Sequence, residues 1–377
     1  MSDAGSIAGG VVLIDNGKIS RVGDSASVPI PADYERISVR VAAPGLIDAH
    51  SVLGLAGMYN VPADQDSDER TDPNQAHLRA IDGFNPREPL LDYVLRFGVT
   101  VVQSGPGRAN VIGGQAGIFK TRAATVEAAT LRFPSAVIFT LGEAPKAAYG
   151  AGGKEPATRM ATAALIRRAL VEARDYARKM TDPDESKRPA RNLKLESLAR
   201  VVSGELPAVM TVHREDDILT AIRLAKEFEL KLILDAATEG YLAVDAIRAS
   251  GAPVFVHPPM QRIDAPETMN ASLENAAILA RAGIPIAIQS GFEDYVPKAR
   301  IVLFEAGVAA ANGLGFEPAL RAITIDAARL LAIDDRVGSI EEGKDADLAL
   351  FDGDPFEYAS HVEAVIINGE VAHRRAR

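Results

Sequence analysis

Three of the six histidines, His50, His213 and His257, each stand at the end of a short apolar run. So do Gln103-Ser104, Lys120, Gly142-Glu143, Asp235 and Gln289-Ser290. If the runs are parallel strands of one barrel, their C-terminal ends share a rim, and side chains there can converge. The chain has no cysteine, which excludes thiolate metal sites, disulfides and cysteine nucleophiles. Imidazole and carboxylate remain as ligands for one divalent ion, zinc by preference, which would activate water for attack on a carbonyl carbon. Glu143 and Lys146, in Gly142-Glu143-Ala144-Pro145-Lys146, put charge at the same rim. Arg262, Lys298 and Arg300 lie just past the last two runs and are candidates to hold a substrate carboxylate. Each histidine also has a plain structural reading. The acids after His213, Glu215-Asp216-Asp217, suit the start of a helix, and His257 before Pro258-Pro259 can simply shape a loop. His77, His361 and His373 read as surface residues.

The elements that must position these groups follow from periodicity. The clear apolar runs are Leu46–Ala49, Val99–Gln103, Ala136–Leu141, Pro207–Val212, Lys231–Leu234, Pro253–Val256 and Pro285–Gln289, with Gln115–Lys120 as a weaker eighth. Between the later runs lie amphipathic helices. In Ala157–Met180, residues Ile166, Leu170, Ala173, Ala177 and Met180 form one stripe, as do Ile218, Ile222 and Ala225 after His213. Short, nearly continuous apolar strands separated by helices imply a parallel sheet covered on both faces, and eight of them imply a (β/α)8 TIM barrel. The polar stretch Ala63–Arg79 reads as a loop or lid, and Gly113-Gly114-Gln115 as a turn. Both chain ends are strand-like, each with an asparagine–glycine hairpin signal, Asn16-Gly17 and Asn368-Gly369. The expected fold is therefore α/β: a barrel over residues 44–339, and a small β-sandwich built from residues 1–43 and 340–377.

Composition narrows the partners. The 377 residues are 47% hydrophobic and 24% charged, ordinary for a globular protein, and the net charge of −10 argues against nucleic acid. No stretch is long and apolar enough for a membrane span. The N-terminus lacks the basic start and apolar core of a signal peptide. A small-molecule substrate, a cytoplasmic location and a homo-oligomer are the expectations, and a leader removed beforehand would leave no trace.

Three segments give the sequence a family likeness. They are Pro44-Gly45-Leu46-Ile47-Asp48-Ala49-His50; Ile323-Thr324 through Leu331; and Val337-Gly338-Ser339-Ile340 followed by Gly343-Lys344-Asp345-Ala346-Asp347-Leu348. In this order they resemble the amidohydrolase superfamily, nearest its imidazolonepropionase-like branch. Gly142-Glu143-Ala144-Pro145-Lys146 with Thr158-Arg159-Met160 resembles a segment of that branch. The resemblance implies a barrel with a small β-sandwich, and hydrolysis of C–N bonds in amides, amidines or lactams with one or two divalent metals. It also implies a ligand set: two histidines after the first strand, lysine or glutamate after the fourth, histidines after the fifth and sixth, and aspartate after the eighth. Here His50 and His213 match, while Val52 and Gly291 stand where a histidine and the aspartate are expected, and the sixth strand ends without histidine. The set that remains is His50, His213 and His257 or Glu143, with Asp235 or Glu143 as acid or base beside Lys146. The alternatives are an enzyme of the same fold that works with little or no metal, or a barrel that binds without catalysis.

Overall fold

Asn16 and Asn368 are both in the left-handed conformation, and each is followed by glycine, the sequence that closes two-residue hairpins. In this computed structural model, which describes residues 5–59, 61–257, 260, 265–291 and 301–376, both turns form. The first joins β1 (Gly10–Asp15) to β2 (Lys18–Asp24) as a two-stranded antiparallel sheet. Strand β3 (Val41–Pro44) then leads into the barrel.

Eight strands build the barrel sheet in chain order: β4 (Leu46–Ser51), β5 (Val99–Ser104), β6 (Ile112–Lys120), β7 (Thr130–Thr140), β8 (Ala208–Val212), β9 (Leu232–Ala236), β10 (Val254–Val256) and β11 (Ile286–Ile288). The last strand returns to the first, where Asp48 of β4 accepts hydrogen bonds from the backbone and hydroxyl of Ser290. The barrel is thus nearly closed. The weak eighth run is a true strand, with one difference from expectation: β6 runs antiparallel to β5 and β7. The connection from β5 is only residues 105–111, with no helix, and a parallel crossover needs a dozen residues or more. Gly113 and Gly114 therefore lie within β6, where the register slips, and do not form a turn of their own.

That reversal also corrects the place of Lys120. It stands at the far end of the barrel, buried, with its ammonium 2.8 Å from Asp345 and 3.0 Å from Asp347 and bonded to the Asn368 side chain. The remaining strands, β12 (Leu348–Phe351), β13 (Val362–Ile367) and β14 (Glu370–Arg374), join β3 in a four-stranded antiparallel sheet, so both chain ends contribute to it. One face, with Leu348, Leu350, Ala364 and Ile366, packs against Val12 and Ile14 of the two-stranded sheet. The other face packs on Leu95, at the end of the helix Pro89–Leu95.

The helix Arg159–Met180 starts at Thr158, whose hydroxyl accepts from the Ala161 amide. It buries Ile166, Leu170, Ala173 and Tyr176, so the stripe runs through Tyr176 where Ala177 was expected. The helix Glu215–Phe228 follows β8, as the sequence implies. The stretch 63–79 is ordered against the rim: Asp68 accepts from the Ala109 amide, and Asn74 and Arg79 pair with Ile112 and Gln115 of β6. Its acids mainly hold turns, as Asp64 does for the Tyr59 and Val61 amides. Among the described residues no helix is long and apolar enough to cross a membrane.

Candidate active site

Side chains two apart on a strand share a face. Ile138, Val209 and Ile233 lie in the apolar interior of the barrel, closed from below by Ala327, Ala328 and Leu331. Two residues further up the same strands stand Thr140, Thr211 and Asp235, in register with one another. The rung above the apolar floor is therefore polar.

Asp235 is its centre. One carboxylate oxygen accepts from the Thr211 hydroxyl at 2.7 Å, and the other accepts from the Gln289 amide at 2.5 Å. That second oxygen also lies 3.1 Å from Nδ1 of His50, which reaches it from β4. His50, Thr211, Asp235 and Gln289 are all buried. His50 is anchored in turn, because its backbone amide donates to Asp48 at 3.3 Å. Burial pushes the Asp48 carboxyl up to about 6, despite its hydrogen bonds from Ser290 and His50.

The chain leaves β9 through Ala236 and Ala237, both at positive φ, 68° and 44°. The Ala237 amide then donates to the carbonyls of Val212 and Asp235, which fixes the carboxylate's strand end. Two alanines in the left-handed region are strained, a feature that clusters at functional sites. On either side of β9, at the same height, stand His213 and His257. Their ring centroids are 5.3 Å apart, and Nδ1 of His213 is 2.7 Å from the Thr238 hydroxyl.

A second polar group lies where β7 ends. Gly142 has φ of 91°, and a Cβ there would fall 2.6 Å from the Glu267 carboxylate. The Glu143 amide donates to that carboxylate at 2.8 Å. Arg159 donates to Asp217 at 2.8 Å and lies 3.9 Å from both Glu143 and Glu267. Burial pushes the carboxyls of Asp217 and Glu267 upward. Glu143 thus faces Arg159, and Lys146 is half-buried on the helix Glu143–Tyr149. Among the described residues no contact brings either against the His50–Asp235 pair. Arg262, Lys298 and Arg300 lie outside the described residues. His77 and His373 are half-buried, not fully at the surface, and His361 is exposed beside Asp352.

The architecture and order of these elements are shared with known proteins. An amidohydrolase from Thermotoga maritima MSB8 superposes with a TM-score of 0.90 at 35% identity, covering 97% of this chain and 95% of that one. The chain belongs to the amidohydrolase family. A sequence profile of that family also matches residues 262–372. The amidohydrolase tasK of Hapsidospora irregularis is 25% identical over 390 residues, 96% of this chain and 39% of that protein. An imidazolonepropionase of Thermoplasma volcanium is 30% identical over 115 residues, 29% of this chain and 28% of that one. The match thus spans well under half the length of these two relatives.

Members of the amidohydrolase family are expected to hold metal, so the donors here can be tested for one. Among the described residues no three histidine, aspartate or glutamate side chains stand together as one ion requires. The histidines fall into two pairings instead: His50 with Asp235, and His213 with His257. Asp235 is further engaged by Thr211 and Gln289. The described donors do not fit a three-ligand metal centre. The sequence reading missed Thr211, whose position two residues before His213 on one strand was the available signal. It also missed Asp48, Arg159, Asp217 and Glu267, which long-range packing brings into place.

Proposed function

We propose that this amidohydrolase hydrolyses carbon–nitrogen bonds in small molecules of lactam, N-acyl or dipeptide-like type, with His50 and Asp235 as its acid–base pair. The observation that carries this reading is the buried His50 Nδ1 to Asp235 contact of 3.1 Å. With the Asp235 carboxylate 3.1 Å from Nδ1, the imidazole tautomer that carries its proton on Nδ1 is favoured, which leaves Nε2 basic. That nitrogen removes a proton from water as water attacks the carbonyl carbon, and returns it to the departing nitrogen. Thr211 and Gln289 keep Asp235 from turning away from the ring.

The test is turnover of a panel of lactams, N-acyl amino acids and dipeptides by the wild type and by Asp235→Asn. Loss of the pair should lower turnover by about 10²–10⁴-fold with the fold intact. Full turnover by Asp235→Asn would sink the assignment. An ion on His50, His213 and His257 would require His50 to leave Asp235 and join the other two rings. Elemental analysis of protein purified without chelator tests this: about one metal per chain would overturn the metal-free assignment of His50 and Asp235.

A further inference from the structure

The orientation of the Gln289 side chain is fixed by chemistry. Its contact with Asp235, at 2.5 Å, faces a carboxylate oxygen, which only the amide nitrogen can serve as donor. The amide oxygen therefore points the other way. It is buried, and among the described residues nothing donates to it. Thr140 presents a second such group. Its hydroxyl sits on the polar rung, in register with Thr211, buried and without a partner among the described residues. Both residues share the inward faces of their strands with apolar interior residues, Ile138 on β7 and Ala287 on β11. The polar rung thus offers one pure acceptor and one hydroxyl, neither paired among the described residues. Buried polar groups are almost always paired, so an orphan acceptor on Gln289, itself bonded to Asp235, and an orphan hydroxyl on the same rung call for a ligand with a matching donor and acceptor.

An amide that keeps its N–H is such a ligand. We propose that Gln289 Oε1 accepts the N–H of the substrate's amide and that the Thr140 hydroxyl donates to its carbonyl. This deepens the reading of the site as a C–N hydrolase and rests on it. The substrate class is then narrowed to secondary or primary amides and lactams with a free N–H. Tertiary amides, such as those at proline nitrogen, offer nothing to Gln289 and bury its oxygen against carbon. A site built to bond an N–H rejects the analogue that lacks it strongly, because its own acceptor is left unpaired.

Binding tests this without requiring turnover. Dissociation constants are measured by ligand-observed NMR titration for 2-pyrrolidinone against N-methyl-2-pyrrolidinone, and for N-methylacetamide against N,N-dimethylacetamide. These pairs present the cis and trans amide. The wild type is expected to favour the N–H member of at least one pair by tenfold or more. Gln289→Met should bring that ratio to within twofold of one. Thr140→Val should weaken both members of the pair alike and leave their ratio unchanged. Equal binding of both members in the wild type, binding of neither, or a ratio that survives in Gln289→Met overturns the proposal. The wild-type comparison decides even if a variant does not fold. Turnover of the same lactam, followed separately, addresses the hydrolase reading: selective binding without hydrolysis sinks that reading alone, and hydrolysis without selectivity sinks this one alone.

Discussion

Asp48 holds its proton more tightly in the folded barrel than in the unfolded chain, because burial pushes its carboxyl from 3.8 up to about 6. Between those values the folded state binds more protons than the unfolded state, so stability falls as pH rises through the interval. The full loss is about 3 kcal/mol, complete above roughly pH 6.5. Asn at this position can still accept from the His50 and Ser290 amides and carries no charge. Asp48→Asn should therefore match the wild type near pH 4 and exceed it progressively up to neutral pH. Thermal unfolding of both proteins from pH 4 to 8 measures the difference. A gap that does not change with pH would show that Asp48 is not the group responsible. At this scale the sequence was partly legible. The places of His50, His213, His257 and Asp235 at strand ends could be read from residue type and position. Their pairing was not, because a histidine at a strand end looks the same whether it meets a metal, a second ring or a carboxylate across the barrel.

Elements decide that pairing. The left-handed turn Ala236–Ala237 sets the height of Asp235 beneath His50, and Ala237 is small enough to leave His213 and His257 in contact across it. Replacing a buried alanine by glycine normally costs about 1.5–2 kcal/mol, from the lost methyl and the freer unfolded chain. At positive φ much of that cost is returned, because glycine relieves about 1–2 kcal/mol of backbone strain. Ala237→Gly should therefore cost no more than about 1 kcal/mol. Ala221→Gly, equally buried in the helix Glu215–Phe228, should cost the full amount. Urea denaturation of the two variants compares them directly. Equal losses would mean that the turn is unstrained. The helices were readable from their period of about 3.6 residues, and most barrel strands from short, nearly continuous apolar runs. The direction of β6 was not, since such a run reads the same in either direction. Only the length and helix-free character of residues 105–111 carried the hint.

Across the whole molecule, the barrel and the sheet made from both chain ends are joined by buried charge. The Asn368-Gly369 signal marks the β13–β14 hairpin of that sheet, while Asn16-Gly17 marks the separate two-stranded sheet that packs on it. The join was not readable, because Lys120 reaches residues more than two hundred positions away. Burial works against the Asp345 carboxylate, but its bonds from Lys120 and Lys18 outweigh it and hold the group at about 2. Asp345 also has Arg336 at 2.7 Å, so it would keep two cations if Lys120 were lost. Asp347 is different. Its described partners are Lys120 at 3.0 Å and the backbone amide of Asn368 at 2.9 Å. Lys120→Met would leave a buried carboxylate without a cation, and breaking a buried pair in this way costs about 3–5 kcal/mol. Adding Asp347→Asn removes the stranded charge and should restore at least half of the loss, which a double-mutant cycle by urea denaturation would read as coupling. Additive losses would instead place the cost of Lys120→Met in packing around the lysine stem, and the ion pair would then not be what holds barrel and sheet together.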